Sequence, residues 1–525
     1  MTWPEKKRAT NLKQMLEEVA AQYGSKTAII SGERKLSFAD LDKAANRVAN
    51  ALLKMGIAKG DRVAMLLSNR PEFVILYFGI TKIGAVVMPL ETKLRFAELA
   101  SFFAHCQPKV LITEDENLEP LTPILAELKS IKHLINIGSK HEGNFRSYDE
   151  MMATSSEAAV EMEPAAASTA QIAYTSSPAF DPRGAVLSHQ DLVTSSALSA
   201  YGFRQTDKDI VPLFILPMFH MFGLVANVLA PIYKGNTMVI IPGTGLSLAS
   251  MMADIEKVKG TMFFSVPYVY ALMNEMAEKE GIKSDLSSLR LCISAGAPLR
   301  PDTIRRFKQN YGFELFDCWG MTETVCHVTC PPMDGERKFG SVGKALPGWE
   351  IKIVDDNDKE LPTDQSGEII VRGPMMKGYF NYPQATAETI RNGWLHTGDC
   401  GRLEDDGTLF ITGRKKDMII VKGQNIYPSD IETVLMNHPK VAEVAIIGIP
   451  DQLRGEIVGA VISLKPGEAA AESELKRFCL EHIASYKVPK EFMFLDSLLR
   501  TAKGKIDKEA LRERLSIPPV FSETV

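Results

Sequence analysis

The sequence holds 525 residues, with 45% hydrophobic, 8% aromatic and 24% charged side chains. This composition excludes disordered, collagenous and coiled-coil chains, and at about 100–200 residues per domain the length predicts about three structural units. Basic residues number 60 against 65 acidic ones, a net charge of -5, and no Lys/Arg run offers a nucleic-acid groove; any bound anion must be gripped locally.

The opening segment MTWPEKKRAT starts on charge and reaches no apolar core, so it does not read as a signal peptide. Leu41 to Leu53 has one apolar face and predicts a helix, and Arg62 to Leu67 predicts a buried strand. The longest apolar stretch, Val74 to Leu90, carries Lys82 near its middle, with Gly79 and Gly84 flanking it. A lysine at a bilayer centre costs about 2.5–3.5 kcal/mol, so the stretch reads as a buried helix followed by a strand. Val110 to Thr113, Leu134 to Ile137 and Thr237 to Ile241 predict further strands, and Met251 to Val258 a further helix. This alternation implies an α/β fold with mostly parallel sheets sandwiched by helices. The stretch 148–170 is rich in Ala, Ser and Glu without clear period, and reads as a surface connection with a subdomain boundary near it.

Further on, Gly367 to Gly378 reads as strand, turn and loop, and Gly407 to Lys422 as two β-rich runs around a charged turn, Gly413 to Asp417. A tail follows with helix Ser429 to Asn437, strands Val444 to Ile449 and Ile457 to Leu464, and helix Glu472 to His482. At about 110 residues it suffices for a small α+β domain, which sets the expected division at 1–413 and 414–525. The seven cysteines, Cys106, Cys292, Cys318, Cys326, Cys330, Cys400 and Cys479, form no C-x-x-C pair. They fit reduced thiols in a cytoplasm, with neither a disulfide frame nor a structural zinc site.

Four clusters stand out: AYTSSPAFDPRG from Ala173, CWGMTET from Cys318, WLHTGDCG from Trp394 and GRKKDMIIVKGQNIYP from Gly413, with a weaker fifth, RTAKGKI, from Arg500. In this order and spacing they resemble the adenylate-forming superfamily, which includes acyl-CoA synthetases, peptide-synthetase adenylation domains and luciferase. The resemblance runs over nearly the whole chain. It implies a large α/β N-terminal domain and a small mobile C-terminal one, and a two-step reaction. A carboxylate attacks the α-phosphorus of ATP to give acyl-AMP and pyrophosphate, and the thiol of coenzyme A then displaces AMP.

Adenylation brings a carboxylate against a polyphosphate, so negative charge must be neutralised by Mg²⁺ and cations. The resemblance implies Glu323 and Thr175 as oxygen ligands of Mg²⁺, with Thr322 bonding the α-phosphate. Cys318, Trp319, Gly320 and Met321 would run along the nucleotide, and Gly296, Ala297 and Pro298 would lie against adenine, where small residues permit close approach. Asp399 would accept both ribose hydroxyls, as an acceptor-only carboxylate can, with Ile411 and Arg414 beside it. Read alone, Asp399 is a turn aspartate and Glu323 a solvated one. Lys505 would bridge substrate carboxylate and α-phosphate; without the resemblance it is a solvated charge near a chain end. Lys416 would be the hinge, and Lys422, Gly423 and Gln424 the coenzyme A segment, with Gly423 passing the thioalkyl arm. Leu499 stands where the family usually has Pro before the arginine.

The phosphate loop departs from the family pattern Y-T-S-G-[ST]-T-G-x-P-K-G. Tyr174, Thr175, Ser176, Pro182 and Gly184 are kept, but Ser177 and Phe180 occupy glycine positions, Pro178 and Ala179 replace the hydroxyl pair, and Arg183 replaces lysine. Pro178 removes an amide donor and non-glycine residues resist positive φ, so the usual nest of amides is not expected. Arg183 keeps the cation but presents a fork rather than a point charge. Either the loop holds polyphosphate loosely while Mg²⁺, Glu323 and Lys505 carry catalysis, or adenylation has been lost. The survival of the other elements favours the first, and loose retention alters the kinetics of both directions without touching the equilibrium, so an enzyme of this type could serve acyl-CoA formation or the reverse, ATP-yielding reaction.

His220 in PMFHMFG occupies the position of an aromatic or His beside the acyl entrance, although alone it reads as a packed core histidine. The absence of an acid in Gly223-Leu224-Val225 disfavours amino acids. Phe219, His220, Val266, Trp319 and Val325 are the expected acyl-pocket residues, within Phe219–Gly223, Val266–Tyr270, Ser294–Gly296 and Trp319–Val325. Trp319 suggests a bounded apolar pocket for a medium-sized, alicyclic or aromatic acid. Asp496-Ser497-Leu498 mimics a carrier-attachment signature but lacks its flanking glycine, and no carrier domain follows Val525, which favours free coenzyme A. The expected partners are therefore a carboxylic acid, ATP and coenzyme A, with no nucleic acid and no membrane segment; homodimerisation stays open. The alternatives are an acyl-AMP ligase serving a carrier protein, whose relatives carry an insertion before the hinge that is not seen here, and a non-catalytic binder of acyl-adenylate or coenzyme A.

Overall fold

The computed structural model describes residues 9–125, 128–139, 144–175, 182–241, 247–297, 299–334, 337–414, 418–499 and 506–516. The chain divides into two compact units, a large one within residues 1–415 and a small one whose body is residues 416–525.

The large unit is built on a seven-stranded sheet in the order Phe145–Ser147, His133–Ile137, Val110–Glu114, Arg62–Met65, Val86–Pro89, Thr169–Tyr174, Gly184–Ser188. All pairs are parallel except the last, which is an antiparallel hairpin. The central strands Arg62–Met65, Val86–Pro89 and Val110–Glu114 are almost wholly buried, which is why they read as continuous apolar runs rather than alternating ones. The apolar stretch at 74–90 resolves as expected into the helix Pro71–Lys82 and the strand Val86–Pro89. Lys82 is fully buried yet satisfied: its ammonium donates to Glu17 Oε1 at 2.9 Å, Asp42 Oδ1 at 2.7 Å and Asn46 Oδ1 at 2.7 Å. A buried charge survives only with such partners, so this lysine is a structural strut.

A second sheet takes Ile210–Leu213, Thr237–Ile240, Thr27–Ser31 and Arg34–Ser37. A third is a parallel trio, Met262–Ser265, Leu291–Ser294 and Leu315–Asp317. A fourth is antiparallel, with Glu350–Val354, Gly367–Arg372, Trp394–Leu403 and Ile390–Arg391 in order, and Leu409–Arg414 on Trp394–Leu403. Among the described residues no helix is long and apolar enough to cross a membrane.

Within the stretch 148–170, Tyr148–Thr154 is a helix capped by Ser147, residues 155–168 carry no helix or strand, and the strand from Thr169 belongs to the same sheet as Phe145–Ser147. Seven residues make two turns, too few for a 3.6-residue period to show in the sequence.

In the small unit Gln424–Ile426, Ile419–Val421, Gly455–Leu464 and Val441–Asp451 form an antiparallel sheet, and Glu491–Phe494 joins Gly455–Leu464 in parallel. The helices Pro428–Met436 and Glu472–His482 fall where expected, and Ile426, Ile431, Leu435, Ile446, Ile462 and Leu475 form the core. Leu498 of the carrier-like triplet is buried against Ala445, Ile447, Val461 and Leu511, so its apolar character is spent on packing.

Candidate active site

Open parallel sheets bind ligands beyond the carboxyl ends of their strands. At the ends of the parallel trio stand Val266, the Gly296–Ala297 turn and the loop that starts at Cys318. Cys318 N–H donates to Ser294 O at 3.0 Å and Ala295 N–H to Ser265 O at 3.3 Å, extending the sheet into these loops. Gly296 has φ +83°, a conformation that glycine alone adopts without strain, and Val266 is its neighbour. Asp317, unremarked in the sequence, closes the third strand; desolvation holds its carboxyl well above the usual range.

The Cys318–Cys326 loop folds tightly back on itself. Val328 and Thr329 N–H both donate to Trp319 O, at 2.9 and 3.1 Å. The chain passes so closely that a Cβ on Gly320 would lie 1.6 Å from Cys326 O, which explains the glycine. Thr324 Oγ1 accepts from Met321 N–H at 2.9 Å and fastens the turn from inside. Val325 and Cys326 have φ of +56° and +101°, each costing about 1–3 kcal/mol in strain, and the Ser195 hydroxyl donates to Val325 O. Such strain is tolerated where surroundings over-determine the loop. Here that loop holds Thr322 and Glu323.

Glu323 is 6% exposed and accepts from Tyr379 OH at Oε1, 2.8 Å away; its carbonyl takes Met376 N–H at 2.8 Å. Burial, then the adjoining carboxylate, raises the Tyr379 hydroxyl far above its ordinary pKa, so it stays a donor. Tyr379 is placed because residues 377–380 lie along the edge strand Gly184–Ser188. Lys377 N–H donates to Val186 O (2.9 Å), Val186 N–H to Gly378 O (2.9 Å) and Phe380 N–H to Gly184 O (2.7 Å). The same edge begins the candidate phosphate loop: Thr175 N–H donates to Arg183 O at 3.0 Å, closing the hairpin mouth. The Arg183 guanidinium lies over the Tyr379 and Tyr382 rings, 5.9 and 5.7 Å from their centroids. Arg183, Tyr379 and Glu323 are thus one contiguous group.

Asp399, 2% exposed, lies on the strand Trp394–Leu403 and accepts from the Trp319 indole N–H at Oδ2, 2.9 Å away. Asp399 N–H donates to Thr397 Oγ1 at 3.1 Å, and Arg414 sits opposite in the ladder. Ile411 pairs with Gly401 on the same hairpin. The indole, expected as a pocket wall, therefore also holds the candidate ribose carboxylate.

His220 caps the helix Met221–Leu224, its Nδ1 accepting Phe222 N–H at 3.3 Å. A Cβ on Gly223 would lie 2.1 Å from Pro217 O, so this helix packs directly on the Pro217–His220 turn, and Phe219 is half-buried there. Tyr270 is fully buried and donates to Phe263 O and Ile293 O, both at 2.9 Å, beneath the strands. Beyond Val325 lies a buried His327, which no local sequence pattern marks. It shares a 2.9 Å hydrogen bond with Ser199 Oγ and is edged by Phe203 and Phe222; burial pushes its pKa down to about 3.

In the small unit, Lys422 and Gly423 have φ of +53° and +82° and join two paired strands as a two-residue hairpin turn, with Gln424 opposite Val421. Ser176, Pro298, Lys416 and Lys505 lie outside the described residues, and Arg414 is described in its backbone only.

A family model of the AMP-binding enzymes matches residues 16–380, and one of the AMP-binding enzyme C-terminal domain matches residues 430–505. The chain belongs to the AMP-binding enzyme family. This AMP-binding enzyme is 34% identical to the indoleacetate–CoA ligase of Aromatoleum aromaticum over 98% of its own length and all of the relative's. It is 31% identical to a long-chain-fatty-acid–CoA ligase of Bacillus subtilis over 96% of its length and 94% of the relative's. The crystal structure of an anthranilate CoA ligase in complex with anthranoyl-AMP superposes with a TM-score of 0.75 at 29% identity, covering 98% and 99% of the two chains. The AMP-binding enzyme is accordingly an AMP-forming acid:CoA ligase that uses ATP, coenzyme A and a carboxylic acid.

Proposed function

We propose that this ligase activates a medium-sized hydrophobic carboxylate, aromatic or alicyclic, through an acyl-AMP formed at Glu323, Thr322 and Asp399. The observation that carries this reading is a pair of buried carboxylates tied to the Cys318–Cys326 loop: Glu323 on it, held by Tyr379, and Asp399 on the strand Trp394–Leu403, held by Trp319. Carboxylates fixed in a low-dielectric interior are positioned acceptors, one suited to a metal and one to a diol.

The donor chemistry fits Mg²⁺: Glu323 supplies a hard carboxylate oxygen and Thr175 a hydroxyl, and one or two carboxylates completed by substrate phosphates and water are the usual protein share for this ion. When bound, Mg²⁺ would neutralise polyphosphate charge. Arg183 contributes a permanent cation beside Glu323, Thr322 hydrogen-bonds the α-phosphate, and Asp399 orients the ribose. The substrate carboxylate oxygen then forms its bond to the α-phosphorus as the bond to pyrophosphate breaks, with Lys505 between the two anions. In the second half the coenzyme A sulfur bonds to the acyl carbon and AMP leaves, with Lys422, Gly423 and Gln424 along the pantetheine arm and Lys416 as hinge.

The altered loop supports loose pyrophosphate retention, which changes the rates of both directions and leaves the overall equilibrium untouched, so the ligase can serve acyl-CoA formation or, in reverse, ATP formation from acyl-CoA, AMP and pyrophosphate. The indoleacetate and anthranilate ligases support a ring-bearing acid, and the Trp319 side chain supports a bounded pocket. The seven cysteines, all of them thiols, support a cytoplasmic setting. A panel of aromatic, alicyclic, short and long-chain acids, scored by coenzyme A-dependent AMP release, tests the reading. Aromatic and alicyclic acids should lead. Strong preference for a long-chain acid contradicts the substrate class, and AMP release without thioester points to a carrier-protein acceptor.

A further inference from the structure

The Lys422–Gly423 turn hangs on a thin ladder. Between Ile419–Val421 and Gly455–Leu464 the described register pairs Val421 with Gly455, and Lys422 N–H donates to Arg454 O at 2.9 Å. One residue earlier a side chain takes over: Ile420 N–H donates to Glu456 Oε2 at 2.8 Å. The opposite carboxylate oxygen sits on the bare α-carbon of Gly448, where an added Cβ would lie 2.3 Å from Glu456 Oε1. Arg512, on the helix Lys508–Ser516, donates from Nε to Gly448 O at 3.1 Å, and its charge favours the ionised Glu456. Burial acts the other way and raises that carboxyl's pKa. A half-buried carboxylate packed on a glycine and aimed at one strand amide is an orienting device, since a solvated glutamate needs none of this.

We propose that Glu456 is a positioning residue for coenzyme A: it fixes the strand entering the Lys422–Gly423–Gln424 turn and so sets where the thiol-bearing arm passes. This rests on the reading of that turn as the coenzyme A segment. Glu456 acts through Ile420 and touches no substrate. It therefore matters in thioester formation and not in adenylation.

The test separates the two half-reactions in the full-length ligase carrying Glu456→Ala, Glu456→Gln or Gly448→Ala. Losing one hydrogen bond to a charged group predicts that Glu456→Ala lowers kcat/KM for coenzyme A by about tenfold. Acid-dependent exchange of pyrophosphate into ATP should stay within about twofold of wild type. Glu456→Gln keeps a carbonyl oxygen for Ile420 and should recover most of the loss, while Gly448→Ala, which pushes the carboxylate aside, should reproduce it. Amide hydrogen exchange should quicken at residues 420–424 in Glu456→Ala and stay unchanged elsewhere in the small unit. An equal loss in both half-reactions, uniform quickening across the small unit, or no change in the coenzyme A step overturns the proposal. A wild-type enzyme that exchanges pyrophosphate but never uses coenzyme A overturns the underlying reading instead, and this proposal with it.

Discussion

The Trp319 indole N–H and the Asp399 carboxylate, 80 residues apart in sequence, meet at 2.9 Å in the interior of the large unit. This bond couples the Cys318–Cys326 loop to the strand Trp394–Leu403, so the residues proposed to face the phosphates and the one proposed to face the ribose move as one body. Trp319→Phe keeps an aromatic ring, smaller than the indole, and removes the donor. An unsatisfied buried acceptor costs about 1–3 kcal/mol. KM for ATP should therefore rise about tenfold or more. Initial-rate kinetics with each substrate varied in turn checks this.

Tyr379 donates to Glu323, the proposed Mg²⁺ ligand, and partners that orient a metal ligand typically matter by about 10–100-fold in metal affinity or activity. Tyr379→Phe should raise the Mg²⁺ concentration for half-maximal pyrophosphate exchange while leaving KM for coenzyme A unchanged. Titrating Mg²⁺ in the exchange assay measures the shift.

Gly320 has no room for a side chain, because the added atom would meet a backbone carbonyl rather than a flexible neighbour. Gly320→Ala should destabilise the large unit by more than about 2 kcal/mol and remove exchange activity. Urea unfolding alongside the exchange assay is the measurement.

His327 ties stability to pH. Its ordinary pKa of 6.5 is pushed down to about 3 by burial, so the native state holds it neutral while the unfolded chain protonates it. Its contribution is complete above about pH 6.5 and is lost progressively as pH falls toward 3, at up to about 1.4 kcal/mol per pH unit. His327→Gln, though less stable at pH 7, should lose less stability than wild type between pH 7 and 5. Unfolding midpoints at the two pH values give the comparison.

Much of the architecture was legible because buried strands and one-faced helices leave periodic traces: Glu472–His482 falls at its expected bounds, and Lys82 inside an apolar stretch pointed to a buried helix. The helix Tyr148–Thr154 was not legible, since two turns carry no period. Glu323 and Asp399 stood out through neighbouring residues in their motifs. Tyr379, His327 and the Trp319 hydrogen bond did not, because each is defined by a contact across 56, 128 and 80 residues respectively. A single sequence records local pattern and has no direct mark for long-range pairing. The tight passage at Gly320 is legible only as a glycine; its reason, Cys326 O, appears only in the fold.

The most direct test of the account is acid-dependent exchange of labelled pyrophosphate into ATP by the wild-type ligase with Mg²⁺ and without coenzyme A. Exchange is expected with an aromatic or alicyclic acid, and its loss in Asp399→Ala. No exchange with any acid in the panel, from the same preparation that binds ATP, contradicts it.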